Sequence, residues 1–471
     1  MTNLFPEIFL GLTLLLLLVC GSIVGSSPKY NYPLLCFRSH TSLILVWTIC
    51  LCRLDYVSYI TTYFLYDDLS QTAKIIISLG LLGCIGISKT RKFKIFEYYV
   101  LILLGFLGLC FLTSSLDLLG VYLSLELITL SFYILATFQR SSAFSTEAGL
   151  KYFLLGAISS GLLLFGVSFI YGFSGTTNLT HINYLFREIN TESPIISYMI
   201  QGGMFFFCNG LLFKLGCVPF HIWVPDVYEG TNTSVTALFS VVPKIGIFTI
   251  LIRFINSSSS DIWSTLLFSL AFLSLFIGSL YALSQAKIKR LLAFSGVSHV
   301  GYALLALSIC SLDSYSSCIL YILIYIITAL YFWGLTLCVE KKNGHTLYLT
   351  DLVQWGKTNL SLALTTVLVV FSLAGIPPLG GFFAKFAVFA SCADASLYLG
   401  TLVGLLTSAI GILYYLRLVK LIHFEQGGWS RPLPLKKVHA LSMGLSAFFL
   451  CFFVVFGNLV LTIAINISIH A

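Results

Sequence analysis

Charge is what this chain has least of: Asp, Glu, Lys and Arg together supply 9% of its 471 residues. A soluble domain carries about a quarter, so a water-soluble enzyme or binding module of this length is excluded. Long polar joints are missing as well, and no segment between apolar runs could hold a globular domain. The sequence also lacks a phosphate-binding glycine loop, a dinucleotide glycine pattern, a metal-ligand cluster and a nucleophile paired with a base. Redox or hydrolytic chemistry carried by this chain itself is therefore not expected. The start, Met1-Thr-Asn-Leu-Phe-Pro-Glu7, has no Arg-rich amphipathic pattern, and the first apolar run has no small-residue cleavage site. Neither a transit peptide nor a removable signal is expected, and the first run is read as a retained helix. The 13 cysteines are scattered, and Cys110, Cys208, Cys310 and Cys338 lie inside apolar runs as small hydrophobes. Cys50-x-Cys52 has no second ligand pair nearby, so neither a metal site nor a disulfide is assigned.

What the chain has in abundance is apolar sequence: 58% of residues are hydrophobic and the mean hydropathy is +0.97. The runs are too long for barrel strands, which need about ten residues, so the fold class is an all-α polytopic membrane protein. Fourteen spans are read at approximately 4–25, 40–55, 72–88, 96–113, 118–138, 148–172, 197–220, 232–255, 262–284, 291–311, 316–339, 359–390, 396–422 and 439–467. With the N-terminus on the outer side, 19 of the 26 Lys and Arg fall on the inner side, including Lys29, Arg38, Lys89, Arg91, Lys92, Lys94, Lys287, Lys289, Arg290, Lys341, Lys342, Arg431 and Lys436. Only Arg53, Lys74, Arg187 and Arg253 are assigned to the outer side, an asymmetry that orients multi-span proteins. The net charge of +8 thus reflects topology, and no nucleic acid partner is expected.

Two spans are interrupted in related ways. The seventh reads Phe213-Lys-Leu-Gly-Cys-Val-Pro219 and the twelfth Gly375-Ile-Pro-Pro-Leu-Gly-Gly381-Phe-Phe-Ala-Lys385. Proline removes a backbone donor and glycine lets the chain unwind, so both helices should break near mid-membrane. The breaks are five spans apart. Spans 4–8 and 9–13 then form two units that enter the membrane from opposite sides, because five is odd; transporters place ion sites at broken helices in this arrangement. The expected organisation is a three-helix segment over 1–95, five-helix units over 96–255 and 256–425, and a C-terminal helix over 426–471.

Four ionisable residues lie inside apolar spans: Glu126, Lys214, Lys244 and Lys385. A charge at bilayer depth costs roughly 2.5–3.5 kcal/mol even on the mildest scale, so such residues mark ion paths by default. Each also has a structural reading. Glu126 could be satisfied by Ser124 or Thr129, and a lysine near a helix end can snorkel to the headgroups. Lys214 is the natural partner for Glu126, Lys244 a relay, and Lys385 a terminal donor. His299 lies in span 10, the counterpart of span 5, and is either a relay member or a hydrogen-bonded packing residue. Asp226 and Glu229 follow the seventh span in an expected loop and suit interface or entry roles.

Leu116-Asp-Leu-Leu-Gly-Val-Tyr-Leu-Ser-Leu-Glu126, Glu147-Ala-Gly-Leu-Lys-Tyr-Phe153, Phe213-Lys-Leu-Gly-Cys-Val-Pro-Phe-His-Ile-Trp-Val-Pro-Asp-Val-Tyr-Glu-Gly230, Lys287-Ile-Lys-Arg-Leu-Leu-Ala-Phe-Ser295 and the Gly375–Lys385 segment resemble the antiporter-like subunits of respiratory complex I, NADH:ubiquinone oxidoreductase, and within them the branch of mitochondrial subunit 2 and bacterial subunit N. The resemblance implies a proton-translocating module without redox chemistry of its own. By position, it assigns the family's glutamate to Glu126 and its three lysines to Lys214, Lys244 and Lys385, leaving His299 less defined. It implies other membrane-arm subunits and lipids such as cardiolipin as partners, with FMN, iron–sulfur clusters and ubiquinone held by partner subunits. The 40 Phe and 25 Tyr suit an AT-biased organellar genome, so a mitochondrial inner-membrane location with the N-terminus toward the intermembrane space is expected, with a bacterial plasma membrane or a plastid thylakoid as alternatives. A subunit of a multi-subunit cation/proton antiporter and a purely structural membrane-arm subunit are the alternatives.

Overall fold

A computed structural model describes residues 4–25, 33–52, 59–60, 63–88, 96–192, 194–257, 261–339, 348–425 and 437–469. Several residues behind the inside bias, among them Lys29, Lys89, Arg91, Lys92, Lys94, Lys341, Lys342, Arg431 and Lys436, lie outside the described residues, as does Arg53. The described chain is helical apart from a two-residue antiparallel pairing of Tyr59–Ile60 with Leu65–Tyr66. The N-terminal helices are α1 (Phe5–Gly25), α2 (Pro33–Leu51) and α3 (Asp68–Ile87). They are followed by α4 (Glu97–Ser114), α5 (Leu118–Ala136), α6 (Ala143–Ser174), α7 (Leu179–Glu192), α8 (Pro194–Leu215), α9 (Trp223–Gly230) and α10 (Thr233–Ser257). Next come α11 (Asp261–Ser284), α12 (Ile288–Leu307), α13 (Leu312–Val339), α14 (Trp355–Thr358), α15 (Leu360–Ala374), α16 (Gly380–Asp394) and α17 (Tyr398–His423). The chain closes with α18 (Lys437–Cys451) and α19 (Phe453–Ile469).

Among the described residues, 11 helices are long and apolar enough to cross a membrane, or 12 if α18 and α19 count as one bent span. The fourteen read from the sequence additionally include the shorter α2 and the α15–α16 pair. Three differences from the sequence reading have physical causes. The 173–196 joint contains α7, an amphipathic helix that buries Leu179 and Ile182 and exposes Tyr184, as a helix lying in an interface does. Asp226 and Glu229 are on α9 and not in a loop. Pro225 stands in the first turn of α9, where its missing N–H is not needed, so the helix continues through it. The single C-terminal helix is instead two helices meeting at 84°. The bend turns Phe453 inward, where it packs on Phe383 with ring centroids 5.7 Å apart and covers Gly380.

α10 and α12 form the interior. α10 packs against α3, α4 and α13, and α12 against α9, α11, α13 and α16. α1, α6, α11 and α17 turn broad apolar faces outward, including Leu16, Leu154, Phe276 and Leu406. Matching bridges occur in the two halves. Asp117, just before α5, pairs with Asn178 beyond α6, and Lys287, just before α12, pairs with Tyr348 beyond α13.

Candidate functional site

The first halves of both broken helices end alike. α8 is followed by Gly216 at φ +73° and α15 by Gly375 at φ +85°. Cys217 N donates to Leu212 O at 3.3 Å, and Ile376 N to Phe371 O at 3.0 Å, each reaching back five residues. That closure needs a residue in the left-handed region, which glycine adopts without steric cost. The prolines, then, follow the helix ends rather than interrupting the turns. Lipid offers no hydrogen bonds at this depth, so the end carbonyls are met from within the protein. Trp223 Nε1 donates to Phe213 O at 3.1 Å, and Lys385 Nζ to Ala374 O at 3.1 Å. Lys385 thus caps the half-helix from which its own segment departs.

Lys214 sits in the last turn of α8, buried, and its Nζ has no hydrogen-bond partner. Glu126, half-buried on α5, acts on it through space, but no ion pair joins the two. The direct pair expected from sequence is not formed. The hydroxyls of Ser124 and Thr129 donate to the backbone carbonyls of Val121 and Glu126, at 2.8 and 3.2 Å, rather than to the carboxylate. A small cavity touches both Lys214 and Lys244, and Thr129, Tyr152, Trp223 and Phe239 also line it. Pro243 inside α10 has no N–H to give the Phe239 carbonyl four residues back.

Lys244 is buried on α10 and donates to Tyr325 Oη at 2.8 Å, with its Nζ 4.2 Å from the centroid of that ring. Tyr325 lines a second small cavity together with His299, Tyr321 and Lys385. His299 has both ring nitrogens engaged: Nδ1 lies 2.7 Å from Tyr321 Oη and Nε2 3.1 Å from Tyr415 Oη. Lys385 Nζ is 5.5 Å from the Tyr302 ring centroid. Lys214 and Lys244 thus share one cavity and His299 and Lys385 the other, and the Lys244–Tyr325 bond joins their walls. Among the described residues, none of the three lysines has a carboxylate within ion-pair distance, and a buried ammonium without such a partner is costly to keep for structure alone.

The region around α9 carries a different kind of charge. Asp226 and Glu229 on α9 bind Lys151 of α6 (3.0 Å from Asp226) and Lys287 and Arg290 at the start of α12. This network is partly exposed and ties α9 to α6 and to the start of α12.

Residues 115–411 match the family model for the NADH:quinone oxidoreductase/Mrp antiporter transmembrane region. The chain belongs to this antiporter-like family. NADH-ubiquinone oxidoreductase chain 2 of Marchantia polymorpha is 38% identical over 469 residues, spanning 97% of this chain and 95% of that protein. NADH-quinone oxidoreductase subunit N of Pelagibacter ubique is 39% identical over 430 residues, with 89% of each chain covered. Among solved structures, a chain of respiratory complex I from Thermus thermophilus superposes with a TM-score of 0.83 at 27% identity, covering 97% of this chain and 98% of that one. A chain of the Mrp complex from Dietzia shares the antiporter-like fold, with a TM-score of 0.85 at 21% identity over 99% of this chain and 97% of that one.

Two groups of polar residues escaped the sequence reading. Tyr321, Tyr325 and Tyr415 looked like ordinary span aromatics; their only signal was the i, i+4 spacing of the first two, which puts both hydroxyls on one face of α13. Lys74 and Arg253 were assigned to the outer surface but are buried in helices. Lys74 pairs with Glu7 at 2.6 Å and Arg253 with Asp67 at 2.5 Å.

Proposed function

We propose that this chain is a proton-translocating membrane-arm subunit of respiratory complex I in the mitochondrial inner membrane. In this reading it couples NADH:ubiquinone electron transfer, carried out in partner subunits that hold FMN, iron–sulfur clusters and ubiquinone, to proton movement. The observation that carries the reading is the pair of cavities meeting at Lys244 and Tyr325, one holding Lys214 and the other Lys385. Buried amines without carboxylate partners can each take or release one proton, and burial disfavours charging them all at once. A charge change in a neighbouring subunit alters the field of Glu126 at Lys214. The Lys214 proton then passes to Lys244, through the Tyr325 hydroxyl, and on to Lys385, with His299 and its two tyrosines as branch or support. Raising one charge against about 150 mV costs roughly 3.5 kcal/mol, within reach of a rearranged buried charge set.

The matching bridges and the two identical glycine closures support two inverted five-helix units over 96–255 and 256–425, preceded by the segment 1–95 and followed by 426–471. The inside bias supports an N-terminus in the intermembrane space. Other membrane-arm subunits and lipids such as cardiolipin are the partners that fit the outward apolar faces.

The family description also covers the Mrp antiporters, so an antiporter assembly is the second reading. Isolation of the particle that contains this chain separates them. Flavin and iron–sulfur signals with NADH-dependent quinone reduction are expected; a particle with cation/proton exchange and neither signal would overturn the complex I reading.

A further inference from the structure

The sequence leaves two roles open for His299, proton carrier or packing residue, and its partners bear on which. The ring is 8% exposed on α12. Tyr321 of α13 meets it at Nδ1, 2.7 Å away, and Tyr415 of α17 at Nε2, 3.1 Å away. Both phenols are buried, so bulk water does not compete for either contact. A neutral imidazole has one donating and one accepting nitrogen, and an imidazolium donates from both. A carbonyl beside a ring nitrogen can only accept, whereas a phenol can donate or accept. With a phenol at each nitrogen, both neutral tautomers and the cation of His299 are hydrogen-bonded at both ends after no more than a turn of two O–H bonds. When Tyr415 accepts from Nε2, its own O–H has the Tyr414 hydroxyl as a partner. When Tyr321 accepts from Nδ1, its O–H can turn toward the second cavity, whose wall it shares with Lys385.

Another buried histidine, His439 on α18, gives the contrast. Its Nε2 lies 3.0 Å from Gly334 O, an acceptor only, so that nitrogen must keep its hydrogen. Such a contact suits a ring that packs; a phenol at each nitrogen suits a ring that changes its protonation. Location agrees. His299 shares the second cavity with Tyr325 and Lys385, its ring centroid is 5.3 Å from that of Tyr325, and both Lys244 and Lys385 act on it through space.

We propose that Tyr415, with Tyr321 opposite it, is a positioning residue that lets His299 carry a proton between Tyr325 and Lys385 without any side chain moving. The inference rests on the relay reading of the three lysines. The step is an exchange of N–H bonds. An N–H bond of the Lys244 ammonium breaks, the proton passes by way of the Tyr325 hydroxyl and cavity water to Tyr321, and the Tyr321 proton forms an N–H bond at Nδ1 of His299. The reverse exchange at Nδ1 releases the proton, and an N–H bond forms on the neutral Lys385 amine. Throughout, the Nε2 hydrogen stays on its bond to Tyr415, which selects the tautomer whose Nδ1 is ready to accept.

The test uses the assembled complex in proteoliposomes, with NADH-driven pumping compared in H2O and D2O. Tyr415→Phe keeps the ring and removes only the hydroxyl. It should assemble normally, pump at least about tenfold more slowly and show a larger solvent isotope effect, because proton transfer at His299 becomes the slow step. His299→Gln can still bond both phenols but cannot carry a proton, so it should slow pumping at least as much. Adding Tyr415→Phe to it should change nothing further, as expected of residues that act as a unit. Tyr331→Phe is the control: its hydroxyl donates to Thr365 Oγ1 at 2.8 Å, outside both cavities, and pumping should stay at the wild-type rate. Wild-type pumping in Tyr415→Phe overturns the inference. So does a loss that leaves the isotope effect unchanged and adds to that of His299→Gln, the mark of packing alone. If Tyr415→Phe fails to assemble, Tyr321→Phe makes the same cut at Nδ1 and decides by the same readings. Normal pumping in His299→Gln together with arrest in Lys244→Met would sink the inference and leave the lysine relay standing; normal pumping in Lys244→Met would sink the relay itself.

Discussion

Lys244→Met leaves the complex assembled and lowers NADH-driven proton pumping by about a hundredfold or more, the range in which positioned proton transfer contributes. The expectation combines two opposite energetic consequences of one change. As a structural element, the Lys244 ammonium is a liability, since it is buried with a phenol and a distant carbonyl for partners: Tyr325 Oη at 2.8 Å and Gly296 O at 3.5 Å. Replacing it with an apolar side chain of similar length removes the desolvation penalty, so stability is unchanged or improved. As a relay member it has no substitute, because Lys214 and Lys385 line different cavities and Lys244, on the wall of the first, bonds Tyr325, on the wall of the second. In a tightly coupled cycle, quinone reduction falls with pumping. Tyr325→Phe keeps the ring that faces Lys244 and removes only the hydroxyl, so it slows pumping less than Lys244→Met does. Complex content on native gels, with pumping measured in proteoliposomes, separates the two consequences. Loss of assembly with normal specific pumping in the residue that remains would mean that Lys244 serves structure.

Gly381→Ala has the opposite signature. A β-carbon there would lie 1.8 Å from Ser372 O and 2.6 Å from Ser372 C, both backbone atoms of the facing half-helix. Nothing flexible can move aside, so α16 must back away from α15. That would break the Gly381 N–Ser372 Oγ bond of 3.0 Å and pull Lys385 off the Ala374 carbonyl. Overpacking of this kind costs about 1–3 kcal/mol or more, and here it falls on the segment that positions a relay residue. Complex content should drop severalfold and Tm should fall, with pumping lost in the fraction that assembles. Gly161→Ala, where a β-carbon meets nothing within 4 Å, is the matched control and should behave as wild type. Equal Tm for the two variants would contradict the close packing of the break.

What could be read from the sequence follows the length scale of each signal. Long apolar runs report membrane helices directly, and Gly216, Pro219, Gly375 and Pro378 punctuate two of them unmistakably. The charges of Lys214, Lys244 and Lys385 stand out because each is flanked by apolar residues on both sides. Glu7, Asp67, Lys74 and Arg253 lie near span ends, where a charge normally reaches the headgroups, so their burial depends on which helices meet there, and one-dimensional hydropathy does not contain that. Tyr325 was hidden for a related reason: a tyrosine in a span is usually interfacial or packed, and only the approach of α10 to α13 turns its hydroxyl toward Lys244. The Glu126–Lys214 pair illustrates the converse. The sequence correctly brought the two residues into one region, but a direct contact was assumed where the fold leaves the glutamate half-buried and the amine unbonded.

The account depends on water, since a proton cannot pass between amines on the walls of empty cavities. A high-resolution cryo-EM map of the active complex is the most direct measurement. It should show ordered water joining Lys214 to Lys244 in the first cavity and Tyr325 to Lys385 in the second. Two cavities filled by side chains or lipid, with no water density between these residues in any resolved state, would contradict it.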